Sequence, residues 1–213
     1  DEPAGSSGIK VGFYPGCLVD KIFLSVGRDA LALLRHQGHG IFLPGEQLCC
    51  GIPALSSGDR TGFEQLVGRI LDQFEDTGID YLVTPCATCT ATIRTVWPLM
   101  ASYLPDSQKQ RVQSLADKTR DITEFLAEGL GEAPQERKQA GSDPSIVTYH
   151  DPCHLQKTLS ISEAPRQLLR ANPRYTFREM STPDRCCGMG GSFNLQHYDL
   201  SRQVGQKKAE DVL

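Results

Sequence analysis

Gly40-Ile41-Phe42-Leu43-Pro44-Gly45-Glu46-Gln47-Leu48-Cys49-Cys50-Gly51 holds the pattern from which the rest of the chain can be read: a short apolar run, a Pro-Gly break, then two adjacent cysteines. The run is strand-like and the breaker ends it. The cysteines are the unusual part. A trans peptide sets their Cα atoms about 3.8 Å apart, below the roughly 4.4–6.8 Å that disulfides span, so a bond between them would be strained. Cys-Cys-Gly returns at Cys186-Cys187-Gly188. Two such pairs, each with further cysteines at matched distances, suggest thiolates gathered onto a metal group.

Outward from this stretch the pattern recurs. Lys10 to Tyr14 is a short β-type run, broken by Pro15-Gly16 and followed by Cys17. Ile22, Val26, Ala30, Leu31 and Leu34 recur at helical spacing and predict a helix over 22–36, stopped by Gly38. Thr61 to Asp76 is a second amphipathic helix, with Phe63, Leu66, Ile70, Leu71 and Phe74 on one face. Asp80 to Thr84 is a third strand. Pro85 hands it over to Cys86-Ala87-Thr88-Cys89, where the next helix should begin. Strands alternating with helices predict a parallel sheet with right-handed crossovers. Ligands of open α/β sheets sit outside the carboxyl ends of the strands. Cys17, Cys49, Cys50, Cys86 and Cys89 should therefore share one edge.

Residues 101–139 read as a helical, charged connector. Within it Asp121-Ile122-Thr123-Glu124 resembles a capping box opening a helix to Gly129, and Glu132 to Asp143 is a polar, exposed loop. The pattern then restarts. Ser145 to Tyr149 mirrors the first strand, and Asp151-Pro152-Cys153 mirrors Pro15-Gly16-Cys17. Ser162 to Ala171 is a helix with Pro165 in its first turn. Tyr175 to Met180 is a strand before Cys186-Cys187, and a last helix covers 198–213. The expected division is a linker at 1–9, a first repeat at 10–105, a connector at 106–144 and a second repeat at 145–213, incomplete because no closing Cys-x-x-Cys follows. The fold class is α/β, with two pseudo-symmetric Rossmann-like halves of parallel strands, cysteines at the C-terminal strand edge and a truncated second half.

The bulk numbers exclude several classes. Of 213 residues 39% are hydrophobic and 23% charged, an ordinary globular mixture. A net charge of −4 leaves no nucleic-acid footprint. No apolar run approaches the roughly 18 residues that span a bilayer. The chain opens on Asp1 rather than Met, as an excised or processed piece would. Its eight cysteines admit an oxidised secreted scaffold, but those scaffolds are short and loop-rich. Metal-bound thiolates in a reducing, cytoplasmic compartment fit better, with any membrane association made through partners.

The spacing sharpens the chemistry. In the first half 31 residues separate Cys17 from Cys49 and 34 separate Gly51 from Cys86; in the second, 32 separate Cys153 from Cys186. All-thiolate sites select zinc or iron–sulfur. Zinc prefers paired Cys-x-x-Cys knuckles, whereas clusters tolerate cysteines from separate loops. An iron–sulfur cluster is the leading reading for Cys17, Cys49, Cys50, Cys86, Cys89, Cys153, Cys186 and Cys187, and zinc stays open as the alternative. Gly51, Gly188, Gly190 and Gly191 could let backbone N–H groups approach cluster sulfurs, or could be plain turn glycines. His150 and His154, either side of Cys153, could donate to sulfur or carry protons, or could be ordinary hydrogen-bonded loop residues. Trp97, Leu99 and Met100 are read as core. No nucleotide fingerprint and no acid–base site for hydride chemistry is visible, so no catalytic residue is assigned.

Cys17, Cys49-Cys50-Gly51 and Cys86-Ala87-Thr88-Cys89, repeated from Cys153 to Gly188, resemble the cysteine-rich CCG domain. That domain occurs in the B-type subunits of heterodisulfide reductase and in iron–sulfur subunits of glycolate oxidase, anaerobic glycerol-3-phosphate dehydrogenase and lactate-utilisation enzymes. GFYPGCLVDKIF, CCGIPALSSGD, YHDPCHLQKTL and DRCCGMGGSFN are most similar to the glycolate and lactate branch. The resemblance implies a [4Fe–4S] cluster, non-cubane in the reductase, on each five-cysteine set. It also implies an electron-transfer role between a flavin-containing oxidase or dehydrogenase subunit and an acceptor, and a ferredoxin-like domain upstream of Asp1. Heterodisulfide reduction at the clusters and a zinc-stabilised, non-redox scaffold are the competing readings. The second set, Cys153, Cys186 and Cys187, lacks the family's closing pair, so its site would be empty, hold another metal, or need a partner.

Overall fold

Each apolar run that ends in cysteine becomes a short strand, and the amphipathic stretches between become helices. The computed structural model describes residues 1–129 and 145–212. The first unit, Asp1–Gly129, opens with β1 (Lys10–Phe13), α1 (Gly16–Lys21), α2 (Leu24–His36) and β2 (Gly40–Phe42). Then come α3 (Ile52–Ser56), α4 (Arg60–Phe74) and β3 (Tyr81–Thr84). After them α5 (Ala87–Ala91) runs through a π-helical turn at Thr92–Val96 into α6 (Trp97–Leu99). The unit ends with α7 (Asp106–Lys118), β4 (Thr119–Asp121) and α8 (Ile122–Glu128).

The sheet has the order β2-β1-β3-β4, with every neighbouring pair parallel. The fold is thus α/β with a parallel sheet, as the alternation predicts. The direction of strand addition reverses between β1 and β3, and such a switch point is where open α/β sheets keep their ligands. Side chains alternate across the strands. Leu82 joins a large cluster with Phe63, Val67, Ile70, Trp97 and Val112, while Gly12 makes room for Phe74 and Ile79 on that face. α4 is capped by Asp59, whose carboxylate accepts from Gly62 N–H at 2.8 Å. Its predicted face holds: Phe63, Ile70, Leu71 and Phe74 are buried.

Several expectations change. The 22–36 helix starts two residues later, and Ile22 and Val26 are exposed while Gly27, Ala30 and Leu34 face inward. The stretch expected as a connector from residue 106 builds part of the domain instead. α7 buries Val112, Leu115 and Ala116, and β4 adds a fourth strand beside β3. Asp121 caps α8 by accepting from Thr123 N–H at 2.8 Å, but Glu124 does not close a box; it pairs with Arg94 at 2.9 Å. Trp97 is buried, whereas Leu99 is exposed at the end of its helix. Residues 1–9, expected as a linker, are tied down along β2: Glu2 N–H donates to Ile41 and its carboxylate pairs with Arg35. The loop expected at 132–143 lies outside the described residues.

In the second unit, β5 (Ser145–Val147) pairs in parallel with β6 (Tyr175–Phe177), flanked by α9 (Glu163–Ala171). α10 (Phe193–Gln196) and α11 (Tyr198–Val212) follow. Among the described residues no helix is long and apolar enough to cross a membrane.

Candidate metal centre

Three loops leave the carboxyl edge of the first sheet, and each carries cysteine. Pro15-Gly16-Cys17 follows β1, Cys49-Cys50-Gly51 follows β2, and Cys86 and Cys89 follow β3 around the start of α5. Because the strands are parallel, their carboxyl ends lie together. Cys50 and Cys89 are buried, Cys49 and Cys86 half-buried, and Cys17 exposed; none of the five is in a disulfide. Cys50 lies beside both Cys49 and Cys89, and Cys89 beside Cys86. Cys17 lies near enough for its charge to raise Cys49. A Cβ at Gly16 would lie 2.8 Å from the Cys89 sulfur, and Gly16 adopts φ +71°. Only glycine lets this loop run so close, with the backbone in the left-handed region.

Two buried aromatics brace the double-cysteine loop. The Tyr14 hydroxyl donates to the Leu48 carbonyl at 2.7 Å, and Trp97 Nε1 donates to the Cys50 carbonyl at 3.0 Å. Backbone N–H groups face the sulfurs: Gly51 to Cys49, Ile52 to Cys50, and Cys89 and Thr88 to Cys86. Donation from Cys49, then from Cys89, holds Cys50 well below the ordinary thiol range; the same contacts raise Cys49 and Cys89, their donors. Cys86 is lowered to about 7 by donation from Cys89. Burial first, and the cysteines' charges second, push Tyr14 up, so its hydroxyl stays a donor. A Cβ on Gly51, which adopts φ +89°, would meet the Phe63 ring at 2.8 Å.

In the second unit, Asp151 N–H and His150 Nδ1 both meet the Pro183 carbonyl, at 2.9 and 3.1 Å. The loop before Cys153 is thereby joined to the loop before Cys186. His150 is thus a hydrogen-bonded loop residue. Cys153, Cys186 and Cys187 are all exposed and free. Gly188, at φ +81°, lies flush on α11, where a Cβ would come 2.4 Å from the Ser201 carbonyl oxygen. The Ser201 hydroxyl donates to Gly188 O at 2.9 Å, and Lys208 Nζ donates to Thr182 O and Pro183 O at 2.9 and 3.1 Å. Arg166, buried on α9, holds Asp151 through two 2.8 Å bonds and Glu179 through bonds of 2.6 and 3.0 Å.

The donor set of the first unit is sulfur throughout, with Cys49, Cys50, Cys89 and Cys86 neighbouring one another in that order. Among the described residues, no three His, Cys, Asp or Glu side chains are grouped as they would be around one bound ion. Soft thiolates supplied by three loops, with backbone N–H groups to offset their charge, suit an iron–sulfur group in donor chemistry.

The cysteine-rich domain family CCG matches the chain twice, over residues 11–94 and 147–213. The chain belongs to this family. Lactate utilization protein A of Bacillus thuringiensis is 33% identical over 205 residues, which are 96% of this chain and 82% of that protein. The B subunit of the fumarate reductase (CoM/CoB) of Methanothermobacter marburgensis is 34% identical over 205 residues, 96% of this chain. An uncharacterized iron-sulfur protein of Methanocaldococcus jannaschii is 32% identical over 211 residues, 99% of this chain. The chain spans 38% of the length of each of the last two.

For this CCG chain the sequence singled out the cysteines but missed Tyr14 and Gly16 as their neighbours, and the bond that Trp97 makes. Gly16 had a signal, since it sits between a breaker and a cysteine. The others had none, because their partners are remote in sequence.

Proposed function

We propose that Cys17, Cys49, Cys50, Cys86 and Cys89 hold an iron–sulfur cluster of the [4Fe–4S] type. The chain then serves as an electron-transfer part of a complex that oxidises a 2-hydroxyacid, lactate or glycolate, on a flavin-containing partner. The observation that supports the reading is that three loops at the carboxyl edge of the parallel sheet, beside its switch point, carry five unbridged thiols. When bound, such a cluster supplies reversible one-electron storage. The protein's part is to hold the thiolates in register through Tyr14 and Trp97, to offset their charge with backbone N–H groups, and to keep one edge, at Cys17, open to solvent. The relatives named for lactate utilization and as iron–sulfur protein support the reading. The two family matches support two pseudo-symmetric halves, with Cys153, Cys186 and Cys187 belonging to a second, related site. The setting is a reducing compartment, with membrane association through partners.

The test is anaerobic reconstitution with iron and sulfide, followed by metal and sulfide analysis and visible absorption. Broad absorption with bound iron and sulfide, lost when Cys50 or Cys89 is replaced by alanine, is the expected result. Colourless protein with stoichiometric zinc overturns it.

The exposure of Cys17 favours one second reading, thiol–disulfide chemistry at the cluster as in heterodisulfide reductase. Turnover of a heterodisulfide by the loaded chain would establish it. A loaded, reducible chain that leaves the disulfide intact excludes it.

A further inference from the structure

α11 lies along the second double-cysteine loop, and its contacts fall on one helical face. Ser201, Gly205 and Lys208 follow one another at intervals of four and three residues, the spacing that shares a face. They meet the loop in reverse order: Ser201 at Gly188, Gly205 at Cys187, and Lys208 at Pro183 and Thr182. A Cβ on Gly205 would come 3.3 Å from the Cys187 carbonyl oxygen, so the helix runs directly against the loop. Asp211, on the next turn, accepts from the Thr182 hydroxyl at 2.6 Å and from the Ser181 hydroxyl.

Lys208 is the unexpected member of this row. It is 6% exposed, and a buried charge is unfavourable unless it is paired and hydrogen-bonded. An ammonium has three N–H donors. Here they meet Thr182 O at 2.9 Å, Pro183 O at 3.1 Å and Asp211 Oδ2 at 3.5 Å. Neither carbonyl depends on it. Thr182 O already accepts from Arg185 N–H at 3.1 Å, and Pro183 O from Asp151 N–H at 2.9 Å. The ammonium therefore rescues no stranded acceptor; it ties the Thr182-Pro183 turn to the helix.

That tie extends to another loop. Pro183 O receives His150 Nδ1 at 3.1 Å as well as Asp151 N–H, and since a carbonyl can only accept, this ring nitrogen carries the hydrogen. Asp151 stands two residues before Cys153, and Pro183 three before Cys186. A single carbonyl of the double-cysteine loop thus joins α11 to the loop that carries Cys153.

We propose that Lys208 is the positioning residue of the second cysteine set: by holding the Thr182-Pro183 turn on α11 it fixes the loop of Cys186 and Cys187 against the loop of Cys153. The inference rests on the reading of these three cysteines as one site. Lys208 touches none of the sulfurs and acts only through backbone carbonyls.

The test uses the full chain, reduced and free of metal, with dibromobimane, whose two arms join two nearby thiols, and identifies the joined peptides by mass spectrometry. In the parent, Cys153 is expected to be joined to Cys186 or Cys187. In Lys208→Met, which keeps an unbranched stem and loses every donor, that product should fall several-fold, while products among Cys49, Cys50, Cys86 and Cys89 stay at the parent level. Hydrogen exchange separates placement from general loosening. The Asp151 amide should exchange faster in the variant; the Arg178 amide, which donates to Val147 O at 2.8 Å between β5 and β6, should not. Equal acceleration at Arg178 overturns the proposal, because the effect would then be one of stability. If Lys208→Met does not fold, Lys208→Gln, shorter and uncharged, replaces it, with the same loss expected and the same null result decisive. A parent in which Cys153 is joined to neither Cys186 nor Cys187 removes the one-site reading, and the role of Lys208 with it. A joined parent with an unchanged variant removes the role of Lys208 alone.

Discussion

Trp97 Nε1 donates to the carbonyl oxygen of Cys50 at 3.0 Å, and both residues are buried. The indole sits one helical segment beyond Cys89, so a single bond ties the Cys-x-x-Cys helix to the double-cysteine loop. A buried carbonyl cannot exchange this partner for water. Its loss should act on the geometry of the site as well as on stability.

Trp97→Phe tests that coupling. Leaving the Cys50 carbonyl unpaired should cost about 1–3 kcal/mol, seen as a lower denaturation midpoint. Iron retained after desalting should fall with it. Full iron retention at unchanged stability would show that the bond contributes nothing.

Gly16→Ala should separate site from fold. The new Cβ meets the Cys89 sulfur at 2.8 Å, and φ is +71°. The backbone cost alone is about 1–2 kcal/mol for an L-residue in this region. The expected outcome is a folded protein with native far-ultraviolet dichroism that binds less iron. Wild-type iron content in the variant would contradict the close approach.

Arg166 joins the exits of β5 and β6 through Asp151 and Glu179, with Arg166 and Asp151 6% and 5% exposed. Removing one member of such a pair strands the other charge. Arg166→Ala should destabilise the second unit by about 3–5 kcal/mol, read by hydrogen exchange on β5 and β6. Asp151→Asn in the same chain should recover part of the loss. An Arg166→Lys protein should not be wild-type, because the ammonium lacks the bidentate fork.

Asp211 gives the second unit an acid dependence. Hydrogen bonds from Ser181, then Thr182, lower its carboxyl to about 2 from an ordinary 3.8. A carboxylate depressed in the folded state adds stability above its unfolded pKa and loses it as pH falls through the folded value. The stability difference between the parent and Asp211→Asn should therefore be constant above about pH 5 and shrink toward about pH 2. A difference that does not change over this interval would refute the assignment.

Much of the first unit was legible because its signals are local. Pro-Gly breaks end Lys10–Phe13 and Gly40–Phe42, and the apolar spacing of Phe63, Ile70, Leu71 and Phe74 marks α4. β4 was not legible. Thr119-Arg120-Asp121 has neither apolar alternation nor β-rich composition, and it becomes a strand by pairing with Leu82, Val83 and Thr84. Ile22 and Val26 misled for the opposite reason. They keep helical spacing, but the chain turns at Phe23 between α1 and α2, and they fall on the exposed side.

The order of residues determined that Cys17, Cys49, Cys50, Cys86 and Cys89 would lie on loops at one sheet edge, since breaker, strand period and cysteine spacing are all written within a few residues of each other. The tertiary structure alone decided what holds those cysteines: Tyr14 on Leu48, Trp97 on Cys50, and Gly16 against Cys89. These contacts join loops brought together only when parallel strands align. Their geometry depends on strand order and helix packing, and no local pattern in the chain encodes either.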